Sequence, residues 1–298
     1  MKVVVLGCGY VGLELGRQLT PAHEVVGIRR SPAGIEAIED AGFRGIQADL
    51  TEPETLRSVP DADAVVFAAS SGGRGAKAAR EVYVEGQRTA MQALEARESP
   101  PDRYIYTSST GVYGDHGGAW VDEETPIEPT TAKTEVLAAA ESVARSGAPD
   151  GTVVRFGGLY GPDRYRLGRY LDGPVTDGYL NMIHRDDAAG VVTYLLEENL
   201  GRGEVVLAVD DEPVSRWEFA DWLADACDVP EPPKQTTAER LDADDLSEAA
   251  RRRLQTSKRC DNSRLHELGY EFTYPTFREG YRHAVESYRE QGGLESGS

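Results

Sequence analysis

Short apolar runs alternate with amphipathic segments along the first half of the chain. The runs have the length of buried strands, and the segments between them carry apolar residues at the spacing of one helical face. Strands are predicted at residues 1–6, 24–28, 45–48, 62–69, 103–107 and 152–156, and helices at 13–19, 31–41, 51–58, 76–96 and 131–146. This alternation indicates βαβ units with right-handed crossovers, and therefore an α/β fold: a doubly wound parallel sheet with helices on both faces.

The pattern changes after Gly157. A loop-rich stretch comes first, and further elements are predicted as a strand at 204–209, a proline-rich linker at 230–237, helices at 186–198, 217–227, 241–254 and 277–288, and a polar tail at 292–298. We expect residues 1–156 to form one domain around the sheet. Residues 157–298 should form a smaller C-terminal lobe, interleaved with the sheet at its carboxyl edge, where open α/β sheets bind ligands.

A glycine-rich turn follows the first strand directly: Gly7-Cys8-Gly9-Tyr10-Val11-Gly12. Gly7 permits the tight turn, Gly9 lets a pyrophosphate approach the backbone, and Gly12 lets the helix pack closely on the strand. Free N–H groups at the start of the helix, where Tyr10 and Val11 lie, then face the phosphates. Strand, glycine turn, helix and strand form the context that this pattern requires, so we predict a dinucleotide site here.

The tip of the second strand indicates which dinucleotide binds. An NAD site usually has Asp or Glu there, but this chain has Arg29, Arg30 and Ser31. A guanidinium is suited to a 2′-phosphate, so NADP is predicted in preference to NAD. The alternative is two solvated arginines before a helix N-cap. Further candidates for cofactor contacts follow the third and fourth strands: Asp49, Leu50, Ala68 and Ala69. Asp49 would bond the adenine or cap the next helix.

Charge and cysteine content limit the partners. The formal net charge is −19, from 32 basic and 51 acidic residues, which argues against nucleic acid and anionic membranes as partners. The cysteines Cys8, Cys227 and Cys260 have neither metal-site spacing nor a disulfide pattern, so no metal is expected. No apolar run approaches the ~20 residues that span a bilayer. We expect a cytoplasmic protein with a small-molecule substrate, and a homodimer as its candidate assembly.

Several motifs resemble those of the extended short-chain dehydrogenase/reductases, the NAD-dependent epimerase/dehydratase family. The stretch 108–114, Ser-Ser-Thr-Gly-Val-Tyr-Gly, resembles the family's Ser-Ser-x-x-Val-Tyr-Gly. Arg155 with 160–162, the Ile-His-Arg-Asp-Asp stretch at 183–187, and 265–269 with 274–280 resemble later elements. Together these cover nearly the whole chain. The resemblance implies that 1–156 is an NAD(P)-binding Rossmann domain and that 157–298 is a substrate lobe.

By motif position, Ser109 matches the family's catalytic Ser/Thr, which hydrogen-bonds the substrate oxygen. The family's Tyr-x-x-x-Lys pair is missing, and the chain therefore resembles atypical members of the superfamily. Alignment on the helix at 131–146 puts Lys133 where the tyrosine belongs and Leu137 where the lysine belongs. Tyr113 is a second candidate, because its hydroxyl could face the nicotinamide. His184 and Asp187, in the Ile-His-x-x-Asp element, are expected to be structural.

Two functions remain open. The first is an NAD(P)-dependent oxidoreductase or epimerase/dehydratase acting on a small hydroxylated, sugar-like substrate, with Ser109 binding the reacting oxygen. The proton would then be handled by Lys133, Tyr113 or a water molecule. The second is a non-catalytic NADP-binding redox sensor or partner protein. The fold alone cannot separate these, because function lies in the site.

Overall fold

The computed structural model describes residues 1–71, 75–148, 150–242, 246–247, 250–251 and 254–291. The strands are β1 (Lys2–Leu6), β2 (Glu24–Arg29), β3 (Arg44–Gln47), β4 (Ala64–Phe67), β5 (Arg103–Ser109), β6 (Trp120–Val121), β7 (Thr152–Phe156), β8 (Gly158–Tyr160), β9 (Val175–Thr176), β10 (Tyr179–Leu180), β11 (Met182–His184), β12 (Val205–Ala208), β13 (Val214–Ser215), β14 (Lys234–Gln235) and β15 (Arg259–Cys260).

The α-helices are α1 (Tyr10–Leu19), α2 (Pro32–Asp40), α3 (Ala76–Arg80), α4 (Gln87–Glu95), α5 (Ala132–Gly147), α6 (Gly168–Leu171), α7 (Arg185–Glu197), α8 (Arg216–Cys227), α9 (Thr237–Leu241), α10 (Ser263–Glu267) and α11 (Phe277–Glu290). A π-helical segment, Glu81–Gly86, joins α3 to α4, so the single long helix predicted at 76–96 is three consecutive pieces. Short 3₁₀ helices span Thr55–Ser58 and Thr110–Tyr113.

Within the described residues, seven strands form one sheet in the order β12-β7-β5-β4-β1-β2-β3. Every neighbouring pair is parallel. In this order β2 and β3 lie on one side of β1, and β4 and the later strands lie on the other side. This reversal of strand order beside β1 opens a crevice at the carboxyl ends of the strands, where ligands bind. The predicted fold class, a doubly wound parallel sheet with helices on both faces, is confirmed.

Alternate side chains of β1 show why both faces are covered. Val3 and Val5 pack in a core with α1, α2 and α7. Val4 and Leu6 pack in a second core with α3, α4 and α5. All four are fully buried, which explains the continuous apolar run in this strand.

The second half of the chain extends the sheet and builds the lobe. It contributes β12, which pairs with β7 at the sheet's edge. The remaining short strands form two-residue and three-residue ladders, among them β8 with β11 and β9 with β14. The lobe has its own core, which is rich in aromatic side chains from α8 and α11. Pairing between short strands of the lobe places some residues in strands that were predicted as loop. One example is β14, which lies within the linker predicted at 230–237 and pairs with β9.

Two predictions fall outside or partly outside the described residues. The helix predicted at 241–254 shares only Leu241 with α9, which ends at that residue; residues 246–247 are not helical, and much of the predicted span lies beyond what the structure describes. The tail at 292–298 lies wholly outside the described residues. None of the described helices combines the length and the apolar character needed to cross a membrane.

Candidate functional site

The glycine turn between β1 and α1 has an open side. Gly7 has a φ of +88°, and a Cβ there would lie 2.1 Å from Ala69 Cα, so only glycine fits. A Cβ at Gly9 would meet only Arg29 Nη1 at 3.2 Å and Gly7 O at 3.9 Å. The helix α1 begins at this point without a side-chain cap. Gly9 therefore borders an open cradle with uncapped N–H groups, and this geometry fits the pyrophosphate of a dinucleotide.

The predicted 2′-phosphate contacts lie beside this cradle. Arg29 folds back over the turn, and its Nη1 donates to Cys8 O at 3.3 Å. Arg30 is exposed, with Nη1 3.6 Å from Asp49 Oδ2. Ser31 caps α2, because its Oγ accepts from Gly34 N at 3.2 Å. Two guanidinium groups and a helix start are thus gathered at the tip of β2.

Asp49 follows β3, and its carboxylate is largely engaged within the chain. Its Oδ1 accepts from the Thr51 backbone N–H at 3.0 Å and from the Thr51 hydroxyl at 2.7 Å. Burial opposes ionisation, but these bonds and Arg30 hold the pKa of Asp49 below its usual value. Asp49 therefore closes a turn with Thr51 and does not cap the 3₁₀ helix at Thr55–Ser58, whose N-cap is Glu54 without a side-chain cap bond. An adenine contact stays a prediction. Leu50 is buried beside this residue, while Ala68 and Ala69 lie at the end of β4, against the glycine turn.

Ser109 is the last residue of β5, on the strand next to β4. It is half-buried, and its Oγ accepts from Gly111 N at 3.2 Å. The first turn of α5 packs here, since a Cβ at Gly111 would lie 3.4 Å from Ser109 Oγ and 3.7 Å from Thr134 Cγ2. Lys133 precedes Thr134 on that turn and is exposed. The structure therefore brings the helical turn that carries Lys133 next to the serine loop.

Tyr113 is the last residue of the 3₁₀ helix that follows β5, and it has no exposed surface. Its hydroxyl donates to Asp122 O at 2.6 Å and accepts from Arg155 Nη1 at 2.6 Å. Burial raises the pKa of Tyr113, although Arg155 acts in the opposite direction. Because its hydroxyl is held in the interior, this placement disfavours Tyr113 as the residue that exchanges a proton with a substrate.

Glu141 on α5 completes a buried polar network beneath the serine loop. It accepts from Ser108 Oγ at 2.6 Å, from Arg155 Nε at 3.0 Å and from Arg155 Nη2 at 2.7 Å. The network fastens α5, β5 and β7 together. The sequence analysis did not identify Glu141 as part of the site. The available signal was an acidic residue on the apolar side of an alanine-rich helix, where an unpaired charge would be costly.

The Ile-His-x-x-Asp element joins the lobe to the sheet. The Asp187 carboxylate accepts from Tyr270 OH at 2.9 Å and from the backbone N–H groups of Thr273 and Tyr274, each at 2.8 Å. His184 caps α7 through Nδ1, which accepts from Asp186 N at 3.2 Å. Burial lowers the pKa of His184 to about 4, so its ring is neutral at pH 7. Both contact patterns are those of structural residues.

Comparison with known proteins agrees with this geometry. A family model described as "NAD(P)H-binding" matches residues 7–199. Protein YeeZ of Escherichia coli strain K12 is 29% identical over 286 residues, covering 92% of this chain and 96% of YeeZ. The 3-diazoavenalumate denitrifying reductase of a Streptomyces species is 27% identical, covering 94% of this chain and 99% of the reductase. A Methylobacillus flagellatus structure, assigned to the NAD-dependent epimerase/dehydratases, is 30% identical with a TM-score of 0.75, covering 97% and 98% of the two chains.

Proposed function

Because the chain belongs to the NAD(P)H-binding family, within the extended short-chain dehydrogenase/reductase superfamily, we propose that it is an NADP-preferring reductase for a small hydroxylated carbonyl compound. The observation that carries this proposal is the position of Ser109. The serine ends β5, next to β4, while the glycine cradle follows β1 on the other side of β4. A dinucleotide lying across the crevice would have its pyrophosphate at Gly9 and its nicotinamide towards β5.

In the proposed reaction, the cofactor supplies the hydride when it is bound. Ser109 binds the carbonyl oxygen of the substrate through its hydroxyl, which stabilises the negative charge that develops there. Lys133 delivers the proton, either directly or through a water molecule. The ammonium form of lysine can donate a proton to the developing alkoxide, but it has no lone pair with which to accept a proton from an alcohol. The arrangement therefore favours reduction over oxidation.

The NADP preference rests on the tip of β2. Arg29 and Arg30 supply permanent positive charge, and the start of α2 adds the positive end of the helix dipole. No acidic residue occupies the position where an NAD site bonds the ribose hydroxyls. The name of the Streptomyces relative, a reductase, supports the same reaction class.

A specific observation favours the second candidate function, a non-catalytic NADP-binding redox sensor. No tyrosine–lysine pair stands beside Ser109 among the described residues, and the Tyr113 hydroxyl is bonded to Asp122 and Arg155. A protein of this kind would bind the dinucleotide tightly and catalyse no reaction.

The test is a hydride-transfer screen. NADPH oxidation would be followed with small hydroxyaldehydes, hydroxyketones, sugars and nucleotide-sugars, and dinucleotide binding would be measured in parallel. With a substrate in hand, Ser109→Ala should lower kcat/KM by on the order of 10²-fold or more. Lys133→Met should also be severe, whereas Lys77→Met, an exposed lysine in the first turn of α3, should have no effect. Tight NADPH binding without turnover on any compound would favour the sensor.

A further inference from the structure

Tyr10 links the cofactor turn to the C-terminal lobe. It is the first residue of α1, directly after Gly9, so its backbone lies at the proposed pyrophosphate cradle. Its hydroxyl donates to Pro162 O at 2.9 Å. Two guanidinium groups approach its ring: Arg164 Cζ lies 4.0 Å from the ring centroid, and Arg185 Cζ lies 5.6 Å away.

These two arginines differ in how their charges are balanced. Arg185 pairs with Asp186 at 2.9 Å and with Glu14 at 3.5 Å. Arg164 is exposed and makes neither an ion pair nor a side-chain hydrogen bond in the part of the chain that the structure describes. A guanidinium that stacks through its face keeps its N–H donors free around its edge. Arg164 is therefore a cation with available donors, held over a residue of the cofactor turn.

The loop that carries Arg164 is held in place by close packing. Gly161 is buried with a φ of +129°, and a Cβ there would lie 3.0 Å from His184 Nε2 and 3.1 Å from Tyr10 OH. The Arg164 N–H donates to Gly161 O at 2.9 Å, which closes a tight turn. Because the loop packs directly on Tyr10, the fold fixes the backbone position from which the Arg164 side chain extends.

We infer that Arg164, supplied by the C-terminal lobe, binds the pyrophosphate of the dinucleotide opposite the N–H groups of α1. This inference rests on the proposed function, since it concerns the same cofactor site. A guanidinium matches phosphate oxygens in geometry and charge. The cofactor would then bridge the sheet and the lobe.

The test separates the pyrophosphate from the 2′-phosphate. Affinities for NADPH, NADH and adenosine 2′-monophosphate would be measured by calorimetric titration for the parent protein and for Arg164→Met. The variant should lose on the order of tenfold in affinity for both dinucleotides, by the same factor. Adenosine 2′-monophosphate lacks the pyrophosphate, so its affinity should not change. Arg164→Lys keeps the charge and loses the planar fork, so its affinities for both dinucleotides should lie between those of the parent protein and those of Arg164→Met.

Arg166→Met is the matched control, because it removes the same charge from the same exposed loop. It should leave all three affinities unchanged. Unaltered NADH binding in Arg164→Met, or an equal loss with Arg166→Met, would overturn the inference while leaving the proposed function intact. Failure of the parent protein to bind either dinucleotide would overturn both.

Discussion

Breaking the buried pair between Glu141 and Arg155 should be among the most destabilising changes outside the apolar cores. The two residues, Glu141 and Arg155, are 4% and 5% exposed, and Glu141 accepts three hydrogen bonds, two of them from Arg155 and one from Ser108. Glu141→Gln keeps the volume but replaces one acceptor oxygen with an NH₂ group that faces the guanidinium. The Arg155 charge is then buried without its counter-ion.

Removing one partner of a buried ion pair costs about 3–5 kcal/mol. We expect that loss in the free energy of unfolding for Glu141→Gln, measured by urea denaturation followed through tryptophan fluorescence at fixed salt. Glu36→Gln, an exposed glutamate of α2, should stay within about 0.5 kcal/mol of the parent protein. The double variant Glu141→Leu/Arg155→Leu should lose less than the sum of the single changes, since no unpaired charge remains. A Glu141→Gln protein within about 1 kcal/mol of the parent would refute the reasoning.

Three further outcomes are expected. Arg30→Met should weaken NADPH by roughly tenfold and leave NADH unchanged in a binding titration; equal losses would remove Arg30 from the 2′-phosphate site. Gly9→Val should keep the circular dichroism spectrum and lose dinucleotide binding, because its side chain enters the open cradle; unimpaired binding would place the cofactor elsewhere. Burial lowers the pKa of His184 from 6.5 to about 4, so the unfolded chain binds the proton more readily. The free energy of unfolding should therefore fall by roughly 1–3 kcal/mol between pH 6.5 and pH 4, and a His184→Asn variant with the same pH profile as the parent would contradict this.

The local pattern of apolar and polar residues was sufficient to predict the strands and helices of the Rossmann half of the molecule. Apolar runs such as Val3–Leu6 are buried on both faces of a parallel sheet, and their continuous apolar character and short length are enough to locate the strands. Ser31 and Pro32 marked the start of α2, because capping depends on neighbouring residues in sequence. Gly7, Gly9 and Gly12 identified the cradle for the same reason: a tight turn between a strand and a helix is a local structure.

Only the tertiary structure decided which groups meet across the fold. Lys133 was the first candidate in sequence and Tyr113 the second; pairing between β5 and β7 places Arg155 against the Tyr113 hydroxyl, which is held in the interior. Glu141 lies 14 residues from Arg155 along the chain, and Arg164 is remote from Tyr10, so neither contact has a local signature. A side chain's chemistry depends on its solvation and its partners, and long-range packing supplies both.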